Sequence, residues 1–491
     1  MIKIPIAYIV VVCLLMTSRT TNGVIGMNWG RQSVQRLIPS MVVDLLLQNG
    51  IRQARIYSAQ PDLLEAFSGS GIHLTVGIHN VFSITNDTLA DDWVQKNLPY
   101  FGPANIRRVY IGNYVFKYGI NNQTLRDAGI NTLRLVQKAL NKAGYGDHIK
   151  ASMPHSARVL KDITKPSEAE FKDEIMEDMN TTLRVLLDNN APFVVDIFPA
   201  LYVYVHKMDL SFAFSDNKSA LVVTDVNGAV YTNVFDFVYD AYVWALEKVG
   251  AGNLKVVVGQ VGWPTDSYYW GANVSAAERF FKSFLPMVAS NKGTPKRPGR
   301  PIDTYVHSLT DETKIMTTNE GFIRHWGIYR SNGEPKYKID LTGQGRDIFP
   351  TRAKGIMRMP DRWCMFNGKT HDEEKLKGVM NNKCARADCT CLAPGASCSQ
   401  LGYELTVSYV FNIYFQSRFQ DEDACKFDGL GKVVTENPST GTCVFPVEVV
   451  RGRQHDYYEE ASSADGKRMP AWAVFMLLLS ILWALFWNEF A

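Results

Sequence analysis

The chain has 491 residues, of which 46% are hydrophobic and 21% charged, a mixture that excludes a disordered tail protein or a collagen-like repeat and requires a sizeable core. Its 52 Lys+Arg against 49 Asp+Glu leave a net charge of +3, which argues against nucleic acid as a ligand. Length alone fits two or three domains, because one α/β barrel absorbs about 250 residues or more.

Lys3, an apolar run over 4–16 and small or polar residues up to Thr21 and Gly23 read as a signal peptide over residues 1–23. An uncleaved anchor helix is the alternative, but a run of about 13 residues is short of the ~20 that span a bilayer. Beyond Val24, eight β-rich runs follow, at 25–28, 53–56, 73–78, 106–111, 149–153, 193–198, 255–259 and 304–309. Helical patterns lie between them at 41–48, 61–67, 91–98, 124–142, 175–187, 235–249 and 276–288, the first with Ser40 as its cap and Gly50 as its stop. The alternation predicts an α/β fold, a (β/α)8 barrel over residues 24–350. A doubly wound open sheet shares the pattern, but no Gly-rich phosphate loop follows the first run.

Over 341–360 the chain turns basic and rich in Gly and Pro, which reads as a boundary, and a linker at 351–361 precedes a small module at 362–450 that holds seven of the eight cysteines. Such crowding predicts a disulfide-stapled fold made in an oxidising compartment. Zinc on Cys384, Cys389, Cys391 and Cys398 is the competing reading, disfavoured by the secretory route and the missing histidines. A polar spacer at 451–470 leads into the apolar tail 471–491. Small residues around Ser462 or Ser463, the spacer and the tail follow the order of a glycosylphosphatidylinositol signal. A plain C-terminal membrane helix is the rival. Five sequons, at Asn86, Asn122, Asn180, Asn217 and Asn273, agree with an extracellular chain.

In a barrel, chemistry sits after the strands. The ends of the runs present Trp29, Tyr57, Asn113-Tyr114, Asp196-Ile-Phe198, Gln260-Val-Gly-Trp263 and Asp311-Glu312, with Trp326 further on. Aromatic rings beside amides and carboxylates suit a sugar, whose C–H face stacks while its hydroxyls hydrogen-bond. Any one of these tryptophans could equally be a core residue.

Asn28-Trp-Gly, the 69–78 stretch, Val258-Gly-Gln-Val-Gly-Trp-Pro-Thr and Arg324-His-Trp-Gly together resemble plant glycoside hydrolase family 17, the endo-β-1,3-glucanases. Trp363-Cys364, Ala387-Asp-Cys389, Ser397-Cys398 and Ala424-Cys425 resemble the X8 domain, or carbohydrate-binding module family 43. The order of parts is similar to the membrane-anchored branch of those glucanases. The resemblance implies a β-1,3-glucan ligand, a monomer, no cofactor and no metal. It also implies disulfides Cys364–Cys425, Cys384–Cys389 and Cys398–Cys443, with Cys391 left over.

By the same resemblance, the acid/base glutamate is replaced by Tyr114 and the nucleophilic glutamate by Gln260. Retaining hydrolysis needs two carboxyl groups about 5 Å apart, one protonated and one ionised. Asp196 and Phe198 stand where the family has Asn and Tyr, and Ser58 and Ile323 also depart from its pattern. Substrate binding is expected at Trp29, Tyr57, Asn113, Asp196, Phe198, Trp263, Glu312 and Trp326, and at Trp363 and Tyr414 in the module. The expectation is a cell-surface callose-binding protein at the plasma membrane or wall with little turnover. The alternatives are an active glucan endo-1,3-β-glucosidase, with Asp196, Asp311 or Glu312 as substitute carboxylates, and a wall protein that binds no carbohydrate.

Overall fold

The computed structural model describes residues 23–33, 36–267, 271–315, 321–368, 373–385 and 387–450. The expected signal peptide, the anchor site at Ser462 or Ser463 and the apolar tail lie outside the described residues.

Nine parallel strand segments form one sheet: β1 Ile25–Trp29, β2 Gln53–Ile56, β3 His73–Ile78, β4 Ile106–Ile111, β5 Lys150–Ser152, β6 Pro154–Ser156, β7 Phe193–Ile197, β8 Val256–Val261 and β9 Thr304–Val306. Their order is β5-β4-β3-β2-β1-β9-β8-β7-β6. The two ends of that order are consecutive in the chain, separated only by the buried Met153. β5 pairs with β4 and β6 pairs with β7, so the sheet closes through a single covalent stave. The eight expected runs are thus eight staves, the fifth split in two. Pro154 has no N–H to donate, which accounts for the break in the ladder. Tyr110, Val194, Val257 and Tyr305 form a cluster from β4, β7, β8 and β9, so side chains fill the barrel interior.

The helices are α1 Pro39–Gln48, α2 Pro61–Phe67, α3 Asp87–Phe101, α4 Val115–Gly119, α5 Gln123–Lys142, α6 Met176–Asp188, α7 Pro199–Val205, α8 Val234–Lys248 and α9 Val274–Ala289. Ser40 is not the cap expected for α1, because the helix starts one residue earlier on Pro39, whose fixed φ suits the first helical position. Asn86, Asn122, Asn233 and Asn273 cap α3, α5, α8 and α9, each side chain accepting a backbone N–H from the first turn. Three of these are sequon asparagines, and all three are exposed. Asn217 is also exposed, whereas Asn180 is half-buried inside α6.

In the module, β10 (Trp363–Phe366) pairs antiparallel with β11 (Gly431–Val434). The helices α10 (Glu373–Cys384) and α11 (Tyr403–Ser417) accompany them. Asn412 on α11 accepts the Cys364 N–H and donates to Pro446 O, which stitches helix, strand and C-terminal segment together. The disulfides are Cys364–Cys425, Cys384–Cys389 and Cys398–Cys443, the pairing implied by the family resemblance. These bonds consume the sulfurs that a zinc site would need. Cys391 is free and buried. Barrel and module belong to one compact unit.

Candidate functional site

The carboxyl ends of the staves converge on a polar mouth. β4 runs into Gly112-Asn113-Tyr114, where Gly112 (φ 64°) and Tyr114 (φ 62°) both take left-handed backbone and turn the chain sharply into α4. A bulky residue in that region carries strain of order 1–3 kcal/mol, a feature concentrated at functional sites. The Tyr114 ring is half-buried and meets Lys117 Nζ at 5.3 Å. Burial, reinforced by the Asp196 charge, holds its hydroxyl protonated well above the usual tyrosine range.

β8 carries a bulge between Val258 and Gln260, and such an extra residue re-aims the side chain that follows it. Gly259 occupies the bulge for a local reason. A Cβ there would fall 2.7 Å from Val194 Cγ1 and 2.9 Å from Asp196 Oδ1. Gln260 is thereby set beside Asp196, its register partner on β7. Asp196 is 2% exposed and Gln260 3%. Neither Asp196 oxygen nor the Gln260 amide nitrogen has a hydrogen-bond partner of good geometry, although Tyr114 and Gln260 adjoin the carboxyl. Burial pushes the Asp196 carboxyl up to about 7, against the opposing charge of Arg55.

Sequence reasoning missed Arg55 and His307. Arg55 points inward from β2, buried, with its guanidinium 4.9 Å from the ring centres of both Tyr57 and Tyr110 and donating to Gly259 O at 3.3 Å. Its signal was available, since an Arg between Ala54 and Ile56 in a β-rich run is a charge in a strand. His307, just past β9, lies with its Nδ1 3.4 Å from the Tyr57 hydroxyl. Burial, with the Arg55 charge, lowers its imidazole to about 3. Phe198, edge-on to Trp326 at 4.8 Å and to His307 at 5.7 Å, completes an aromatic wall.

Glu312 reaches the mouth from the segment after β9. Its carboxylate lies against Gly30, where a Cβ would sit 1.9 Å from Oε1, and it accepts the Gln32 N–H at 3.1 Å. Burial, reinforced by Asp311, raises it to about 7. Asp311 is instead a structural anion, paired with Lys336 at 2.7 Å and accepting the Gly327 N–H.

Three expected binding aromatics are corrected. Trp29 (1% exposed) and Trp263 (0%) are core side chains, and the Trp263 indole N–H is already satisfied by Gly271 O at 2.7 Å. Trp363 is likewise buried in the module with its N–H on Phe445 O. A position at a strand end does not distinguish an indole that closes the top of a barrel from one that faces a ligand. Trp326 is as buried as Trp363, but its ring packs on Phe198 and His307 in the wall of the mouth, while Tyr57 and Asn113 are half-buried there. Tyr414 on α11 is also half-buried, covered by Lys383 at 4.0 Å.

Among the described residues, no cluster of three or more His, Cys, Asp or Glu is arranged to hold a metal ion. A depression of about 710 Å³ opens at the other end of the barrel, beside Arg52, Gln53 and His73. No carboxylate, Trp or Tyr lines it, and the amino ends of barrel strands carry stability rather than chemistry.

Residues 362–432 match the X8 domain. The chain is 36% identical to glucan endo-1,3-beta-glucosidase 8 of Arabidopsis thaliana over 94% of each protein. It is also 36% identical to glucan endo-1,3-beta-glucosidase 5 of the same plant, over 93% of each. Among solved structures, a beta-1,3-glucanase and allergen of Cryptomeria japonica pollen superposes with a TM-score of 0.61 at 29% identity, covering 65% of this chain and 99% of that one. With residues 25–341 matching the glycosyl hydrolases of family 17, the chain belongs to that family.

Proposed function

We propose that this chain is a cell-surface β-1,3-glucan-binding protein whose barrel holds a callose-like chain without cleaving it efficiently. The observation that carries the reading is the pair Tyr114 and Gln260 at the ends of β4 and β8, the positions at which, by family resemblance, a hydrolase keeps its two glutamates. A phenol held protonated far above wall pH is a poor acid, and an amide has no charge to offer an oxocarbenium ion. The polar groups that support binding remain: Asp196 and Gln260 are buried with unsatisfied atoms beside an aromatic wall, and such groups call for a ligand or water. The leader, the sequons and the order of spacer and tail support delivery to the outer leaflet with a lipid anchor at Ser462 or Ser463.

The test is turnover. Purified secreted protein is incubated with a soluble β-1,3-glucan and new reducing ends are counted, beside a Tyr114→Glu/Gln260→Glu variant. The expected outcome is binding with negligible release by the unmodified chain, and a gain of about 10² or more in the double variant. Release by the unmodified chain at ordinary enzyme rates would overturn the reading.

One observation favours a second reading, an active glucan endo-1,3-β-glucosidase. Asp196 is a buried carboxyl with its titration raised to about 7, the property of a proton donor, and it adjoins both Tyr114 and Gln260. In that case Asp196→Asn abolishes release of reducing ends.

A further inference from the structure

The barrel mouth and the disulfide module share one network of ion pairs and hydrogen bonds. A short helical turn, Gly321–Arg324, leads into His325 and Trp326 on the barrel side. Arg324 Nη1 pairs with Asp388 Oδ1 at 3.1 Å, while its Nε donates to Ile315 O. His325 Nε2 lies 2.7 Å from Thr390 Oγ1 and 3.4 Å from Asp388 Oδ2. On the loop after β8, Asp266 accepts the Ser397 N–H at 2.8 Å and the Ser397 hydroxyl at 2.5 Å. Thr265, through its N–H and its hydroxyl, donates twice to His325 O, which ties the two barrel loops together. The Arg324 and Asp388 side chains are only 15% and 13% exposed, so solvent and salt screen this pair weakly.

The strap held in this way carries Trp326, whose carbonyl accepts the Ser308 N–H and whose ring abuts Phe198 and His307 in the aromatic wall. We propose that Asp388, Thr390 and Ser397 of the module are positioning residues for the barrel mouth, so that barrel and module take up a β-1,3-glucan chain as one rigid unit rather than as two tethered binders. This rests on the glucan reading above. The physical reason is preorganisation. Without the module, Arg324, His325 and Asp266 lose these partners, and a strap that must be ordered at the moment of binding weakens affinity without any lost ligand contact.

Asp388 offers a clean variant. Its Oδ1 also accepts from the Thr390 N–H and hydroxyl, closing the turn before Cys391. Asparagine keeps that cap and removes only the charge facing Arg324 and His325. The experiment uses the full secreted chain and a β-1,3-linked glucose hexamer, read by calorimetry, with hydrogen exchange followed over residues 321–327. In Asp388→Asn/Ser397→Ala we expect affinity to fall about tenfold and exchange to rise over that strap, with the three disulfides intact. Ser397→Thr, which retains both donors, keeps the affinity of the unmodified chain. Tyr57→Ala serves as the control within the mouth. If Tyr57→Ala loses binding while the interface variant binds as well as the unmodified chain, the positioning role is wrong and the glucan reading stands. If the unmodified chain itself takes up no hexamer, the glucan reading falls and this proposal with it.

Discussion

Asp196 and Gln260 are register partners on adjacent strands, and they stand side by side at the mouth with buried polar atoms that no protein group satisfies. The bulge at Gly259 creates that juxtaposition, because a side chain there would collide with the Asp196 carboxyl. A carboxyl in this position is tolerated while it is protonated, and its ionisation is opposed by burial.

Asp196→Asn follows from that relationship. The folded carboxyl titrates near 7, against an ordinary value of 3.8. Between those values the unfolded chain has released the proton and the folded chain has kept it. Stability therefore falls as pH rises through this window, by roughly 1.4 kcal/mol per unit at most, and levels off above about 7. Asparagine has no proton to lose. Thermal unfolding of Asp196→Asn should match the unmodified protein at pH 4 and exceed it by several degrees at pH 7.5. Equal differences at both pH values would remove Asp196 as the titrating group.

Much of this architecture was legible in the chain. Eight β-rich runs alternating with helical patterns suit a barrel, although an open sheet shares that pattern, and each run sits on a stave of the structure. Helix starts were less visible: α3, capped by Asn86, begins four residues before the apolar periodicity suggests, because it opens on the polar Asp87 and Thr88. The site was legible as strand ends but not as geometry. Trp29 and Trp263 share the strand-end signature of ligand-facing aromatics and prove to be core, since burial depends on neighbours from distant strands. The inward turn of Arg55 is likewise fixed only by the pleat of β2.

Lys336 and Asp311 make a buried pair that supports the same end of the barrel. Burial works against the Asp311 carboxylate, yet Lys336 and His325 hold it below the usual carboxylate range. Lys336 also donates to Thr265 Oγ1 at 2.6 Å. Lys336→Ala leaves the anion without its counter-charge and should cost about 3–5 kcal/mol. Lys336→Met/Asp311→Asn, which removes both charges, should recover most of that loss in chemical denaturation. A double variant as unstable as the single one would mean that the packing of Lys336, not the charge of Asp311, is what matters.

Cys391 is a second consequence of burial. It is the free thiol of the module, 5% exposed, and burial raises its pKa far above that of an ordinary cysteine. The thiolate is the reactive form. A maleimide reagent at pH 7 should leave residues 24–450 unlabelled in the native state and add one equivalent in denaturant, at Cys391. Labelling of the native protein at the rate of a free thiol would place Cys391 at the surface.

Asn273 is an observed helix cap that also lies in an acceptor sequence for glycosylation, and single substitutions usually confuse the two. The Asn273 side-chain oxygen caps α9 by accepting the Ala276 N–H at 2.8 Å, and glycosylation of the amide nitrogen leaves that oxygen available. Asn273→Gln removes cap and glycan together, whereas Ser275→Ala removes only the glycan, because the acceptor sequence requires Ser or Thr. In protein secreted from a glycosylating host, Asn273→Gln should be less stable than Ser275→Ala by about 1 kcal/mol, the ordinary value of an N-cap. The two variants should run with the same loss of mass. Equal stability in both would show that the cap contributes nothing, and that any loss relative to the unmodified chain belongs to the glycan.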